Sequence, residues 1–166
     1  MSAEIAIRPA TAADLGFLEE MLFEAFFWDP AAARPAFDEF RDDPEFRKLL
    51  SAWGRRGDCA VIAGDAEAPL GAAWYRLWTP QIHSYGFVDE RTPELAIGVG
   101  PAQRSRGIGR ALLHALVRAA RDDGFTALSL SVSPQNFARK LYESEGFHKV
   151  GESGTSWTLL KTLAPK

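Results

Sequence analysis

Hydrophobic and polar positions change their period several times along this chain, and each change marks an element. Ile5 and Ile7 alternate with Ala6 and Arg8 ahead of Pro9, which suits a short edge strand. Leu15, Leu18, Leu22 and Phe26 then recur at helical spacing behind Thr11-Ala-Ala-Asp14, a capping-box pattern with Asp where Glu is commoner. Pro30 closes that stretch. Residues 31–40 read as helical, and Asp42-Asp43-Pro44 reads as the cap and first turn of a helix over 45–53, ended by Gly54 and Gly57. Residues 58–63 and 70–77 read as strands joined by a turn over 64–69, hence an antiparallel hairpin. The segment 78–92 has turn chemistry and carries Trp78, His83, Tyr85 and Phe87.

The stretch that organises the rest runs from Glu94 to Gly124. Leu95, Ile97 and Val99 alternate with Glu94, Ala96 and Gly98 as in a strand, whereas Ile108, Leu112, Leu113, Leu116, Val117 and Ala120 share one face of a helix. Gly124 supplies the helix stop, and Leu128, Leu130 and Val132 alternate in the next strand. A strand, a crossover helix and a second strand make parallel neighbours joined with right-handed chirality. Residues 134–145 predict a short helix stopped at Gly146, and 147–152 with 156–163 predict a last antiparallel hairpin turned at 153–155. The expected class is therefore α/β, with a mixed, mostly antiparallel sheet and one parallel pair.

Length and composition narrow the picture. A chain of 166 residues, 46% hydrophobic and 25% charged, is expected to be one globular domain over 1–166. The net charge of −3 gives no reason to expect nucleic acid or an anionic membrane surface as partner. The single cysteine, Cys59, excludes an internal disulfide and sits in an apolar run where a buried side chain is expected. Nothing near Met1 resembles a secretory leader and no stretch approaches a membrane span, so the expected compartment is the cytoplasm. His83, His114 and His148 are isolated, without ligand spacing, and no metal is expected.

The candidate chemistry lies between the central strand and its helix, in Arg104-Ser105-Arg106-Gly107-Ile108-Gly109-Arg110. Gly107 and Gly109 let the backbone approach a ligand closely, and the first turn of the helix presents N–H groups without internal partners at the positive end of its dipole. Such a turn is a seat for phosphate. Neither a nucleotide-hydrolysing P-loop nor a Gly-x-Gly-x-x-Gly fingerprint is present.

Arg104-x-x-Gly107-x-Gly109 after a strand beginning at Glu94 resembles the signature of the Gcn5-related N-acetyltransferase (GNAT) superfamily. The resemblance continues through Asn136, Ala138, Leu141, Tyr142, Gly146 and Phe147, and covers roughly residues 94–150. It implies that the turn holds the diphosphate of acetyl-coenzyme A, with Arg104 and Arg106 adding charge and Arg139 or Lys140 as further partners for the 3′-phosphate. It also implies that the two parallel strands splay, so that backbone groups of Ile97 and Val99 bind the pantetheine arm, which Asn136 would also hydrogen-bond. An alkyl ammonium with pKa about 10 must lose a proton before it can attack a thioester, and Glu94 stands where relatives carry a base, with His83 in reserve. Tyr142 stands where the family places the acid that protonates the leaving thiolate.

By the same resemblance the helical pair after the first helix borders the acceptor groove, which makes Phe26, Phe27, Trp28 and Asp29 candidates for shaping it. The aromatic loop with His83 and Tyr85 is a candidate opposite wall. The expected acceptor is a small-molecule or peptide amine; Asp29, Asp42 and Asp43 are where a cationic amine would be attracted. Homodimers are common in the superfamily. Two function classes fit the phosphate turn, an acetyltransferase and a noncatalytic acyl-coenzyme A binding module that needs neither acid nor base. Tyr142 favours the enzyme.

Overall fold

The computed structural model describes residues 4–165, which form a seven-stranded sheet with helices on both faces. In chain order the elements are β1 (Ile7–Pro9), α1 (Leu15–Phe26), α2 (Phe37–Asp42), α3 (Pro44–Arg47), β2 (Cys59–Asp65) and β3 (Ala68–Arg76). There follow β4 (Glu94–Val99), α4 (Ile108–Asp122), β5 (Ala127–Val132), α5 (Ala138–Ser144), β6 (His148–Ser153) and β7 (Ser156–Thr162). Across the sheet the order is β1-β2-β3-β4-β5-β7-β6. Only β4 and β5 run parallel, so the mixed, mostly antiparallel sheet expected from the periodicity is the one observed.

Two cores hold the layers together. Val61, Ala63, Ala73 and Tyr75 point to the α4 side, where they meet Leu112, Leu113 and Leu116; Ala60, Ile62, Ala72 and Trp74 point to the α1 side, where they meet Leu18, Met21 and Leu22. Both faces of β2 and β3 are thus buried, which is why their sequences run apolar without alternation. On the α1 side the approach is unusually close, because β4 offers a glycine there. A Cβ built on Gly98 would lie 2.2 Å from the Met21 carbonyl oxygen.

Several boundaries differ from the periodic reading, each for a local reason. The helix expected over 45–53 is only α3, Pro44–Arg47. The carbonyls of Leu49 and Ser51 accept from the Arg76 guanidinium, each at 2.9 Å, and Ala52 takes φ of 53°, so the backbone is spent on that side chain instead of on a helix. Arg76 is 1% exposed; Asp58 neutralises it at 2.9 Å, and Trp53 and Trp78 cover it. The helix expected over 31–40 is α2, Phe37–Asp42, because Pro35 keeps Arg34 out of the helical region and cannot itself stand in a helix interior. The first hairpin turns over Ala66 and Glu67, tighter than 64–69, with a bulge at Ala63/Gly64. Residues 134–137 precede α5 as turns instead of opening it, and β6 starts one residue later than expected.

Gly98→Ala should lower stability by about 2 kcal/mol, because α1 must lift from β4, and drop the melting temperature by about 5 °C in a calorimetric scan. An unchanged melting temperature would mean that α1 does not rest on that strand.

Candidate active site

The parallel pair is joined at one place. Glu94 stands opposite Ser129, and the Ser129 N–H donates to the Pro93 carbonyl at 3.0 Å. Beyond that point the strands part, β4 following β3 and β5 following β7 along their antiparallel registers. The gap opens into a cleft of about 850 Å³ that both strands line. At one end stands the turn before α4. Ser105 and Gly107 both take left-handed backbone conformations, with φ of 64° and 81°, which curls the chain into the helix. The first i→i−4 bond of α4 is Ala111 N–H to the Gly107 carbonyl at 3.1 Å, so the amides of Ile108, Gly109 and Arg110 precede the internal ladder. Ser105, Gly107, Ile108, Gly109 and Arg110 line the cleft.

Glu94 and Tyr142 both face this space. The Gly86 N–H donates to Glu94 Oε2 at 3.0 Å, while Oε1 is shut away from solvent with no partner. Burial pushes this carboxyl up to about 7, against the weaker pull of the Gly86 N–H, the Ser84 and Trp78 side chains and the charge of Lys48. Gly86 is held against the place where the parallel pair is joined: a Cβ there would lie 2.6 Å from the Leu130 carbonyl carbon, and its own carbonyl accepts from the Ser129 hydroxyl at 2.7 Å. Tyr142 is 6% exposed and packs edge-on against Phe147, with ring centroids 5.8 Å apart. Burial alone raises its phenol well above the usual range, so the hydroxyl keeps its proton.

A model of the acetyltransferase (GNAT) family matches residues 19–147. The chain belongs to that family. Solved structures share its fold over nearly the whole length. The PaiA N-acetyltransferase of Thermoplasma acidophilum in complex with coenzyme A is 17% identical, with a TM-score of 0.71, 96% of this chain and 99% of that one being covered. The ribosomal-protein-alanine N-acetyltransferase of Brucella melitensis is 25% identical at a TM-score of 0.68, covering 95% and 99%. A phosphinothricin acetyltransferase of Sinorhizobium meliloti in complex with AcCoA is 22% identical at 0.69, covering 98% and 90%. No curated protein sequence matches the chain.

In this GNAT chain the cleft also brings together Ile97, Val99, Arg104, Asn136, Trp28 and Tyr85. Asn136 Oδ1 accepts from the Ala138 N–H at 2.9 Å, so the residue closes the turn ahead of α5 as well as lining the cleft. Arg104 reaches away from the turn, donating to the Trp28 carbonyl at 3.1 Å and pairing with Glu24 at 3.4 Å. Arg110 pairs with Glu145, which His114 also meets at 2.9 Å. Phe27, Asp42, Asp43, Arg139 and Lys140 stay out of the lining, and so do Arg106, Asp29 and His83. Arg106 bonds to Gln103 on the surface. Asp29 accepts from the Ala31 N–H at 2.9 Å inside its own turn, and His83 is exposed and stacked on Phe87 at 4.6 Å. In turn the cleft includes Trp78 of the aromatic loop, and also Glu24, Leu49, Trp74, Arg76 and Ser84, which the sequence did not single out as site residues. A charged Arg76 at the end of an apolar strand was the one sequence signal available for that group. Among the described residues no cluster of His, Cys, Asp and Glu is built to hold a metal.

A carboxyl held above its unfolded value binds its proton more tightly when folded, so its contribution is most favourable below about pH 4.5 and is lost as pH rises to about 7. Glu94→Gln should therefore gain stability over the parent as pH rises, by up to about 3 kcal/mol near neutrality, in urea melts taken across that range. A pH-independent difference between the two proteins would contradict the buried setting of this carboxyl.

Proposed function

We propose that this protein is an acetyl-coenzyme A-dependent N-acetyltransferase whose acceptor, a primary amine, attacks the thioester directly in a ternary complex. The observation that carries the reading is the parting of β4 and β5 beside a glycine-rich helix N-terminus, with a buried acid and a buried phenol in the same cleft. Family membership supports it, and so does the coenzyme bound in two of the similar structures.

In this reading the amides of Ile108, Gly109 and Arg110, with the Ser105 hydroxyl, take the diphosphate at the positive end of α4. Arg104 and Arg110 keep that end of the cleft positive although their guanidinium groups are already paired, and Arg106 adds charge from the rim. Backbone groups of Ile97 and Val99 stand where a strand partner is missing, and they pair with the amides of the pantetheine arm as an added strand would. Asn136 binds the arm from the β5 side. The N–H near Val99 meets the thioester oxygen as it gains negative charge.

Glu94 takes the first proton from the alkylammonium, and a carboxyl balanced near 7 is matched to that task at neutral pH. The freed lone pair forms the C–N bond, and collapse breaks the C–S bond. Tyr142 donates to the departing sulfur. A phenol so reluctant to ionise acts first as a hydrogen-bond donor, and the second amine proton restores whatever it hands over. One proton in total leaves through Glu94 to solvent.

Thiol release measured with acetyl-coenzyme A and a panel of primary amines tests the reading directly. Tyr142→Phe should lower kcat by roughly tenfold to a hundredfold while calorimetric affinity for the coenzyme holds. Glu94→Gln should lower kcat by about a hundredfold or more and remove the limb of the pH profile that rises through about 7. Coenzyme binding without thiol release to any amine would instead favour a noncatalytic binding module.

A further inference from the structure

The end of the cleft around Glu94 has a composition of its own. Phe26, Leu49, Trp74, Trp78 and Tyr85 line it. Several of these rings are fixed from behind. Phe26 meets Phe46 edge-on at 4.9 Å and Tyr85 at 6.2 Å, and the Tyr85 hydroxyl donates to Glu45 at 2.8 Å, which leaves Tyr85 37% exposed. The Arg76 guanidinium lies 5.5 Å from the Trp78 ring, with its charge already met by Asp58.

Carboxylates are as scarce there as rings are plentiful. Glu24 and Glu94 are the two that line the cleft. Glu24 is taken, pairing with Arg34 at 3.2 Å and Arg104 at 3.4 Å. Glu45 behind Tyr85 pairs with Lys48 at 3.2 Å. The acidic turn residues are occupied too: Asp29 and Asp43 each accept a backbone N–H at 2.9 Å, and Asp42 meets Arg41 at 3.4 Å. Of the two lining carboxylates, Glu94 is the one that no Lys, Arg or His among the described residues meets as an ion pair.

We infer that the acceptor is a singly charged primary amine carried on an aromatic or bulky apolar body. This rests on the acetyl-transfer reading of the same cleft and names its substrate class. The one ammonium meets Glu94 and the faces of the surrounding rings, which attract a cation while covering it from water. The body of the molecule fills the aromatic wall and removes apolar surface from water. A polyamine, an aminoglycoside or a lysine-rich peptide brings further ammonium groups that would lose water with no free carboxylate to receive them. A short alkylamine carries the charge and leaves the wall uncovered.

Titration calorimetry of protein loaded with coenzyme A, using 2-phenylethylamine, n-butylamine and spermidine, tests this class independently of turnover. The expected ranking puts 2-phenylethylamine about tenfold or more tighter than n-butylamine, with spermidine no tighter than n-butylamine. Tyr85→Leu should narrow the preference for the aromatic amine by about threefold to tenfold. Spermidine binding tightest, or equal affinity for the aromatic and short amines, would overturn the inference. Thiol release with the same three amines reads the underlying reaction separately. The aromatic ranking without any release would strike acetyl transfer and leave the pocket's preference standing.

Discussion

Backbone hydrogen bonding is the constraint from which the rest of this structure follows. A strand can leave one neighbour only if its other neighbour holds it, and both members of the parallel pair meet that condition. β4 is paired with β3 from Glu94 to Val99, and β5 with β7 from Ala127 to Val132. The seam between them is therefore free to open after the single Glu94/Ser129 pairing without leaving either strand unsupported. An opened seam in turn exposes main-chain donors and acceptors inside the molecule, and such groups want partners. A ligand bearing amides answers that want in the way a strand would.

Around the seam, charge is separated along the cleft. The α4 end collects the helix N-terminus, Arg104 and Arg110, whereas the far end holds aromatic rings and one carboxyl short of a partner. The separation depends on pairs that keep other charges neutral. Arg76 and Asp58 cancel each other while the same guanidinium gathers the carbonyls of Leu49 and Ser51, so one buried cation folds the segment after α3 against the cleft. A buried pair of this kind is a poor source of stability on its own, and its visible result here is the position of the wall. Gly86 has a comparable place. Its N–H supports Glu94 and its carbonyl takes the Ser129 hydroxyl, which ties the aromatic loop to the closed end of the seam.

Family membership and these features agree on a catalyst of acyl transfer, and the balance of rings to free carboxylates bears on the acceptor. Similar structures carry names with quite different acceptors, a ribosomal protein alanine and phosphinothricin among them, so the fold does not choose among acceptors. Side chains on the loop between β3 and β4 and on the segments after α1 line the same cleft as the glycine turn.

The sequence by itself determined the elements whose signal is local. The alternation of Leu95, Ile97 and Val99, the helical face from Ile108 to Ala120 and the glycine turn between them each lie within a few residues, and so does the Asn136 to Phe147 segment that carried the family resemblance. Tertiary structure alone decided what distant parts do to one another. Arg76 cut short a helix more than twenty positions earlier by taking its carbonyls, an effect no window of periodicity contains. Asp29 and His83 read as site residues from their neighbours in the chain, yet a turn amide and the Phe87 ring hold them elsewhere. Glu94 is plain in the sequence as an acid at a strand start. Its raised affinity for a proton comes from burial, which outweighs the opposing pull of the Gly86 N–H, and burial is a property of the assembled fold and not of any stretch of chain.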